Sequence, residues 1–238
     1  MKKNSELSNC MREKFKIGNV GSPRGLVFGF GVNDADYITT PIVSGKQLMC
    51  PAYRQWREMI RRAHSPIFQM KKPTYIGVSV CDEWKSFMKF RRWWIEHQID
   101  GWQIDKDLTT RGNKIYSPEF CVFVPNWLNN FINVSKSDNK SGFAGCSFEE
   151  MTGMFKAQCQ NPITGKNENL GRYRTATEAG SAWCERKREI ALGCKDFMDS
   201  IDIRIYNTVL MAIPSPITSR NDTGKRIIRQ SRQSTKQS

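Results

Sequence analysis

One run of charged residues, Asp105, Lys106 and Asp107, carries side chains that could take part in chemistry. Lysine has an ordinary pKa of about 10.4, and a carboxylate on either side favours its charged form. We therefore expect Lys106 to stay protonated near pH 7, where it can pair with an anion but cannot accept a proton. The two histidines, His64 and His97, are candidate proton acceptors, although a single histidine is more often a structural polar residue.

The eight cysteines are the other reactive side chains, at positions 10, 50, 81, 121, 146, 159, 184 and 194. No two of them form a Cys-x-x-Cys pair, the close pair from which structural zinc sites usually take their ligands. A zinc site would have to be assembled from distant residues such as Cys50, Cys81 and Cys121. We expect the cysteines instead to be reduced and to act as small buried hydrophobic residues.

The elements that must position the charged run follow from the apolar segments around it. Trp102–Asp105 is predicted to be a strand, and a polar loop follows from 106 to 114. Cys121–Val124 is predicted to be a second strand, and a short helix that includes Asn126–Asn130 begins near Pro125. Strand, loop, strand and helix in this order form a small ββα unit.

Two helices are predicted upstream of this unit. Pro51 can begin the first, since its missing N–H would have no partner there, and Asp82 can cap the second. Their expected core positions are Tyr53, Trp56 and Ile60, and then Trp84, Phe87, Phe90 and Trp94. Arg54, Arg57 and Arg61 form another face of the first helix, which is either solvated or in contact with phosphate.

The remaining N-terminal segments show weaker patterns. Residues 1–50 are predicted to be irregular, apart from a strand-like run at Leu26–Val32. Tyr75–Val80 is predicted to be a strand between the two helices.

Three strands and a helix are predicted after a polar linker at 134–141. The strand-like segments lie at 145–148, 153–160 and 167–173, and the helix runs from about Thr175 to Ala191. Thr175 and Glu178 form a capping box at the start of that helix.

Alternation along these strands assigns their two faces. Phe155, Ala157 and Cys159 are predicted to face the helix, and Lys156, Gln158 and Gln160 the opposite side. On the third strand, Asn167 and Asn169 are predicted to face the polar side and Leu170 the helix side. This polar side is either an ordinary solvated surface or one that contacts DNA, because Gln and Asn can bond adenine while Lys and Arg suit guanine or phosphate.

The overall charge favours a polyanionic partner. The 238 residues include 37 Lys and Arg against 23 Asp and Glu, so the net charge is +14. This excess attracts nucleic acid, because each neutralised phosphate releases condensed counterions. No run approaches the ~18 apolar residues of a membrane span, and no apolar stretch typical of a signal peptide follows the N-terminus. We therefore expect a cytoplasmic protein, in the host cell if it is viral, with no membrane partner.

The ββα unit resembles the HNH family of metal-dependent nucleases, in the form found in phage homing endonucleases. The matching residues are Ile104–Asp107, Gly112–Asn113, Tyr116–Val124 and Asn129, within a resemblance that extends from residue 51 to Phe131. The resemblance implies that Asp105 and Asn129 hold one divalent cation, Mg²⁺ or Mn²⁺, on the scissile phosphate. Lys106 stands where the family has its catalytic histidine, and Phe120 replaces the asparagine that steadies that histidine. Lys106 would then act as a phosphate or transition-state clamp.

Residues 142–192 resemble the ethylene-response-factor type of DNA-binding domain. The matching stretches are Gly145–Ser147, Gly153–Cys159, Gly165–Lys166, Leu170–Tyr173 and Thr177–Trp183. The resemblance implies a three-stranded antiparallel sheet packed on one helix, with the outer face of the sheet in the major groove. The residues expected to contact double-stranded DNA are Ser147, Lys156, Gln158, Gln160, Lys166, Asn167, Asn169 and Arg172.

Together these patterns predict an α+β protein. Its expected parts are an irregular segment at 1–50, an HNH-like module at 51–133, a sheet-plus-helix domain at 142–195 and a basic disordered tail at 219–238. The expected function is metal-dependent DNA endonuclease activity, a phosphodiester hydrolysis, at a site chosen by the C-terminal domain. One alternative is a DNA-binding or regulatory protein whose nuclease centre has lapsed. Another is a protein-interaction role in which the ββα unit is only a scaffold.

Overall fold

The computed structural model describes residues 3–17, 25–132 and 141–215. Its helices are α1 (Lys3–Lys14), α2 (Pro51–His64), α3 (Pro66–Lys71), α4 (Phe87–His97), α5 (Asn126–Ile132), α6 (Ala176–Gly193), α7 (Lys195–Ile201) and α8 (Arg204–Ala212). Its strands are β1 (Ile42–Val43), β2 (Lys46–Gln47), β3 (Ser79–Val80), β4 (Trp102–Asp105), β5 (Ile115–Tyr116), β6 (Val122–Pro125), β7 (Cys146–Glu149), β8 (Met154–Gln160) and β9 (Asn167–Tyr173). The predicted α+β class is confirmed.

The described residues form two compact units. The first unit holds the residues up to 132 together with 191–212, and the second holds 141–190 with 213–215. Residues 134–140 of the predicted linker and the predicted basic tail at 219–238 lie outside the described residues. No helix in the described part of the chain is long and apolar enough to cross a bilayer.

The core of the first unit is built from aromatic side chains of α2, of α4 and of the 3₁₀ turn that precedes α4. Trp56, Trp84, Phe87 and Phe90 are fully buried, as the predicted apolar stripes require. Nε1 of Trp56 donates a 2.7 Å hydrogen bond to the backbone oxygen of Trp84, so the indole is buried without losing its polar contact. Burial of each such side chain contributes on the order of 1.5–3 kcal/mol.

The N-terminal segment differs from its prediction, because residues 3–14 form a helix. This helix, α1, buries only one large apolar side chain, Met11, alongside Ser5 and Ser8. Oγ of Ser5 donates to Gln98 at 3.0 Å, and Oγ of Ser8 lies 3.3 Å from Sγ of Cys50. The prediction of an irregular segment was wrong here because the buried face of α1 is held by hydrogen bonds and lacks an apolar period.

Three further local predictions need correction. The run Leu26–Val32 contains a turn with positive φ at Phe28 and Gly29, closed by a bridge between Val27 and Gly31. Of the segment Tyr75–Val80, only Ser79–Val80 is a strand.

The start of α4 also lies later than predicted. Asp82–Lys85 is a 3₁₀ turn, and the cap of α4 is Ser86, whose hydroxyl accepts the N–H of Lys89 at 3.1 Å. The aspartate was a plausible cap by type, but the hydroxyl that fits the first turn of the helix comes from Ser86.

The predicted order of strand, loop, strand and helix is present in the first unit. Strands β4 and β6 are antiparallel, with Asp105 opposite Val122, and α5 begins directly after β6. Within the long connection, β5 pairs in parallel with β3. The relation of this unit to HNH nucleases stays a prediction.

Helices α7 and α8 belong to the first unit, although they follow the second unit in the chain. The ring of Phe197 packs against Trp102 and Trp127, with centroids 6.0 and 5.5 Å away. Nη2 of Arg204 donates to the backbone oxygen of Glu119 at 3.0 Å. These helices therefore support the ββα unit from outside its own sequence.

The second unit is the predicted three-stranded sheet and helix. The sheet has the antiparallel order β7-β8-β9. The capping box of α6 is confirmed, since the Thr175 hydroxyl accepts the N–H of Glu178 and the Glu178 carboxylate accepts the N–H of Thr175. Gly145, with φ of +67°, leaves space for the ring of Trp183, which a Cβ atom would occupy.

If α7 contributes to the core of the first unit, its one buried methionine should matter to stability. We expect Met198→Ala to lower the free energy of unfolding by about 2–5 kcal/mol, because Met198 is fully buried and leaves a cavity. Chemical denaturation followed by tryptophan fluorescence measures the change. Met211→Ala is the matched control: Met211 in α8 is 58 % exposed, and its loss should change stability by less than about 0.5 kcal/mol. Equal effects of the two changes would contradict the assigned packing.

Candidate functional site

A cavity of about 570 Å³ in the first unit brings together the predicted catalytic and metal-binding residues. We call it the Asp105 cavity. Its lining residues are Gln55, Arg62, Thr74, Tyr75, Trp102, Gln103, Ile104, Asp105, Lys106, Asp107, Tyr116 and Asn129. Asp105, Lys106 and Asn129 therefore share one concave surface, although Asn129 is distant from the other two in sequence.

Asp105 lies at the end of β4, where the chain turns into the polar loop. Its Oδ1 accepts the backbone N–H groups of Asp107 and Leu108, each at 2.9 Å, which fixes the carboxylate at the start of the turn. Burial, together with repulsion from the Asp107 carboxylate, raises the pKa of Asp105 to about 6. The carboxylate is thus held in place in surroundings that disfavour its charge.

Lys106 lines the cavity, but its ammonium already has partners in the loop. Nζ donates to the backbone oxygen of Asn113 at 3.0 Å and pairs with the Asp107 carboxylate at 3.1 Å, with 10 % of the side chain exposed. Nδ2 of Asn113 donates in return to the backbone oxygens of Lys106 and Ile115, at 2.6 and 2.8 Å. Lys106 and Asn113 therefore tie the two ends of the loop together.

Asn129 reaches the cavity from α5. Its Nδ2 donates to Oε1 of Gln103 at 3.0 Å. Gln103 precedes Asp105 by two residues on β4, so both side chains lie on the same face of that strand. The contact with Gln103 therefore places the Asn129 amide beside the strand that carries Asp105.

Two lining residues that the sequence did not single out are Arg62 and Tyr116. Arg62 lies in α2 two turns after Gln55, and both line the cavity. The guanidinium interacts electrostatically with the Tyr116 hydroxyl and lies 5.8 Å from the centre of the Tyr75 ring. The predicted basic face of α2, formed by Arg54, Arg57 and Arg61, did not include Arg62, because Arg62 lies one residue after the last of these. The available signal was its i, i+7 relation to Gln55.

Neither histidine lines the Asp105 cavity. The His64 ring stacks on Phe30 at a centroid distance of 4.0 Å, and burial lowers its pKa. The His97 ring stacks on Trp93 at 4.7 Å, and its Nδ1 lies 2.7 Å from the Trp93 backbone oxygen. Each histidine is therefore held by stacking on a core aromatic ring, with His64 half-buried and His97 exposed.

The cysteines considered for zinc are not assembled into a site. Sγ of Cys50 contacts the hydroxyls of Ser8 and Tyr37, at 3.3 and 3.2 Å. Burial raises the pKa of both the Cys81 and the Cys121 thiols, which disfavours the thiolate that binds metal. Among the described residues, no group of three or more His, Cys, Asp or Glu side chains could hold a metal ion.

In the second unit, the predicted DNA-contacting residues share the side of the sheet opposite α6. Ser147, Lys156 and Arg172 are register partners across the three strands, and Gln158 pairs with Asn169. On the other side of β8, Ala157 and Cys159 are buried. We call the former side the polar face; it comprises Ser147, Lys156, Gln158, Gln160, Asn167, Asn169 and Arg172. Lys166 lies at its end, in the turn before β9.

An irregularity in β9 decides which residues reach the polar face. The register shifts between Ala157 and Gln158, so that Gly171 and Asn169 are the paired residues and Leu170 is extra. This bulge places Arg172 on the same side as Asn169, where strict alternation would place it on the opposite side.

The charges on the polar face are only partly balanced. Nε of Arg172 pairs with Glu149 at 2.6 Å, and this contact lowers the pKa of the Glu149 carboxyl. Lys156 has no ion pair with any residue that the structure describes. The face therefore keeps excess positive charge.

Comparison of the chain with family models, with curated proteins and with solved structures finds no match. The geometry of these two sites is therefore what indicates a function.

The burial of Asp105 predicts a pH-dependent effect on stability. Its pKa is raised, so the native state binds a proton between about pH 4 and 6 that the unfolded chain has released, and stability falls as pH rises through this window. We expect Asp105→Asn to increase the free energy of unfolding at pH 7.5 by about 1–3 kcal/mol, since the amide oxygen can still accept both N–H groups. The gain should vanish near pH 4 in chemical denaturation.

Asp36→Asn is the control, with the opposite sign. The hydrogen bond from Arg12 lowers the pKa of Asp36, so its stabilising effect is present above about pH 4 and is lost on acidification. The Asp36 variant should be less stable than wild type at pH 7.5. A loss of stability in both variants would show that Asp105 is not held in a charge-disfavouring site.

Proposed function

We propose that this chain hydrolyses DNA phosphodiester bonds with the help of a divalent cation, in the Asp105 cavity of the first unit. The observation that carries the proposal is that Asp105 and Asn129 line one cavity together with two cationic side chains, Arg62 and Lys106. Oxygen ligands beside positive charge suit a site where a metal ion and a phosphate bind together.

The side chains present fit a small hard cation. One carboxylate and one amide oxygen match the few protein ligands that Mg²⁺ takes when waters and phosphate complete its coordination, and Mn²⁺ accepts the same set. The raised pKa of Asp105 also fits, because a cation would offset the cost of burying this carboxylate. When bound, the ion supplies charge stabilisation for the leaving oxygen.

The other residues of the cavity orient these groups. The backbone N–H groups of Asp107 and Leu108 hold one oxygen of Asp105, and Gln103 holds the amide nitrogen of Asn129. Lys106 contributes positive charge and holds the loop closed through Asn113. We propose this positioning role for Lys106 in addition to the role of phosphate or transition-state clamp that the resemblance to HNH nucleases implies.

The second unit supports DNA as the substrate. Its polar face carries amide side chains that can bond base edges, and Lys156 forms no ion pair within 4 Å in the described part of the chain. The net charge of +14 adds a non-specific attraction to phosphate. We propose that this face contacts the major groove and selects the site of cleavage.

One observation favours a second candidate function, DNA binding without cleavage. No imidazole lines the Asp105 cavity. In the resemblance to HNH nucleases, Lys106 stands at the position of the catalytic histidine. Nζ of Lys106 donates to the backbone oxygen of Asn113 and pairs with Asp107, so it is not placed to accept a proton from water.

Nicking of supercoiled plasmid with Mg²⁺ or Mn²⁺, measured with and without EDTA, separates the two candidates. We expect the wild type to nick only with metal. Asp105→Ala should abolish nicking while DNA affinity stays at least as high, because loss of a carboxylate removes repulsion towards phosphate. Asp82→Ala, an exposed acid outside the cavity, is the control and should nick like wild type. A wild type that nicks no DNA with either metal would contradict cleavage and leave the binding function.

The polar face generates a separate prediction about specificity. Gln158→Ala combined with Asn169→Ala should weaken binding at the preferred site more than on random DNA, because each lost bidentate base contact costs roughly 1–3 kcal/mol. Competition binding with selected and random duplexes measures both affinities. Asn207→Ala, an exposed change in α8, should alter neither affinity. Equal weakening on all sequences would contradict base contact by this face.

A further inference from the structure

Arg62 is a half-buried cation whose partners in the Asp105 cavity are neutral. The Tyr116 hydroxyl interacts with it electrostatically and lines the same cavity, and the Tyr75 ring centre lies 5.8 Å from the guanidinium. Burial raises the pKa of Tyr116, so that its hydroxyl stays neutral at physiological pH. These neighbours can satisfy donors of the guanidinium, but they do not compensate its charge.

The acids near Arg62 are engaged by other groups. Glu58, one turn earlier in α2, forms an ion pair with Arg61. Asp107 pairs with Lys106, and Oδ1 of Asp105 accepts the backbone N–H groups of Asp107 and Leu108. Among the residues that the structure describes, Arg62 has no carboxylate within ion-pair distance. Glu58 adds only the weakest of the attractions that act on Arg62. A partly desolvated cation whose neighbouring acids are held by other groups favours an anionic ligand.

We propose that Arg62, which lines the Asp105 cavity beside Tyr75 and Tyr116, binds a non-bridging oxygen of the scissile DNA phosphate there. This site deepens the proposed function and rests on it. An arginine suits the role because its planar fork can donate two parallel hydrogen bonds to phosphate. Asp105 and Asn129 would hold the cation in the same cavity, so Arg62 and the cation share the charge of one phosphate.

The cavity has room for this ligand. A water molecule occupies about 30 Å³ in the liquid, so a cavity of about 570 Å³ accommodates a phosphodiester group and a hydrated cation together. The side chains that would surround the phosphate come from α2 and from the segment around β5, whereas the proposed metal ligands come from β4 and α5. The phosphate site is therefore built by residues other than the metal ligands.

The experiment compares Arg62→Met with wild type in two assays. In EDTA, the affinity for duplex DNA is measured against salt concentration, and loss of one phosphate contact should make the log–log slope shallower by about 0.9. With Mg²⁺, plasmid nicking at saturating DNA should slow by about 10²–10³-fold, the usual effect of removing one donor to developing charge. The first assay does not require the protein to be an active nuclease.

Arg12→Met is the matched control. It removes the same charge from the first unit, but Arg12 is already paired with Asp36 at 2.6 Å. We expect it to leave the salt slope and the nicking rate close to wild type. Thermal melting checks that each variant folds. If Arg62→Met does not fold, Arg62→Gln, which keeps an amide donor for the Tyr116 hydroxyl, replaces it in both assays.

The outcomes separate this site from the proposed function. A slope that is unchanged by the loss of Arg62 overturns the phosphate site, even if the wild type nicks DNA. A shallower slope with an unchanged nicking rate also overturns it, because the contact would then lie away from the scissile phosphate. A shallower slope in the Arg62 variant alone, with no nicking by wild type, supports the phosphate site and overturns cleavage.

Discussion

The burial of Trp56 is the constraint on which the arrangement of the first unit depends. Its indole is fully buried, donates to the backbone oxygen of Trp84 and lies so close to Gly31 that a Cβ atom there would be 2.7 Å from the ring. These contacts fix the rotation of α2 about its axis. Because residues seven apart share a helix face, the same rotation brings Gln55 and Arg62 together to the Asp105 cavity.

The cavity itself is organised by charges that do not fully compensate one another. The Asp105 carboxylate is held by backbone N–H groups and repelled by Asp107, while the Arg62 guanidinium is surrounded by neutral hydroxyl and ring groups. Within the first unit, the contacts of the two groups do not fully offset the free energy of desolvating their charges. Such imbalance is typical of sites that bind charged ligands. In this cavity the incompletely compensated groups are one anionic side chain, Asp105, and one cationic side chain, Arg62.

The parts of the fold that could be predicted were those with local signals. The strands β4 and β6, the capping box of Thr175 and Glu178 and the three strand segments of the second unit follow from short-range patterns. The antiparallel arrangement of those three strands was expected only from the resemblance to the ethylene-response-factor type of domain. Helix α1 could not be predicted, because its buried serines depend on partners such as Gln98 that lie far away in sequence. The role of α7 and α8 was missed for a related reason, since few of their side chains are buried and they pack on a distant hairpin.

The candidate sites were predictable to the same extent. Asp105, Lys106 and Asn129 were found because a motif groups them, but the contact between Lys106 and Asn113 and the approach of Arg62 arise only from the tertiary structure. On the sheet, one extra residue in β9 reverses the alternation of side chains between the two faces. The face on which Arg172 lies therefore depends on this bulge, which simple alternation along the sequence does not predict. A charged residue can therefore be assigned to a binding face only when the register of its strand is known.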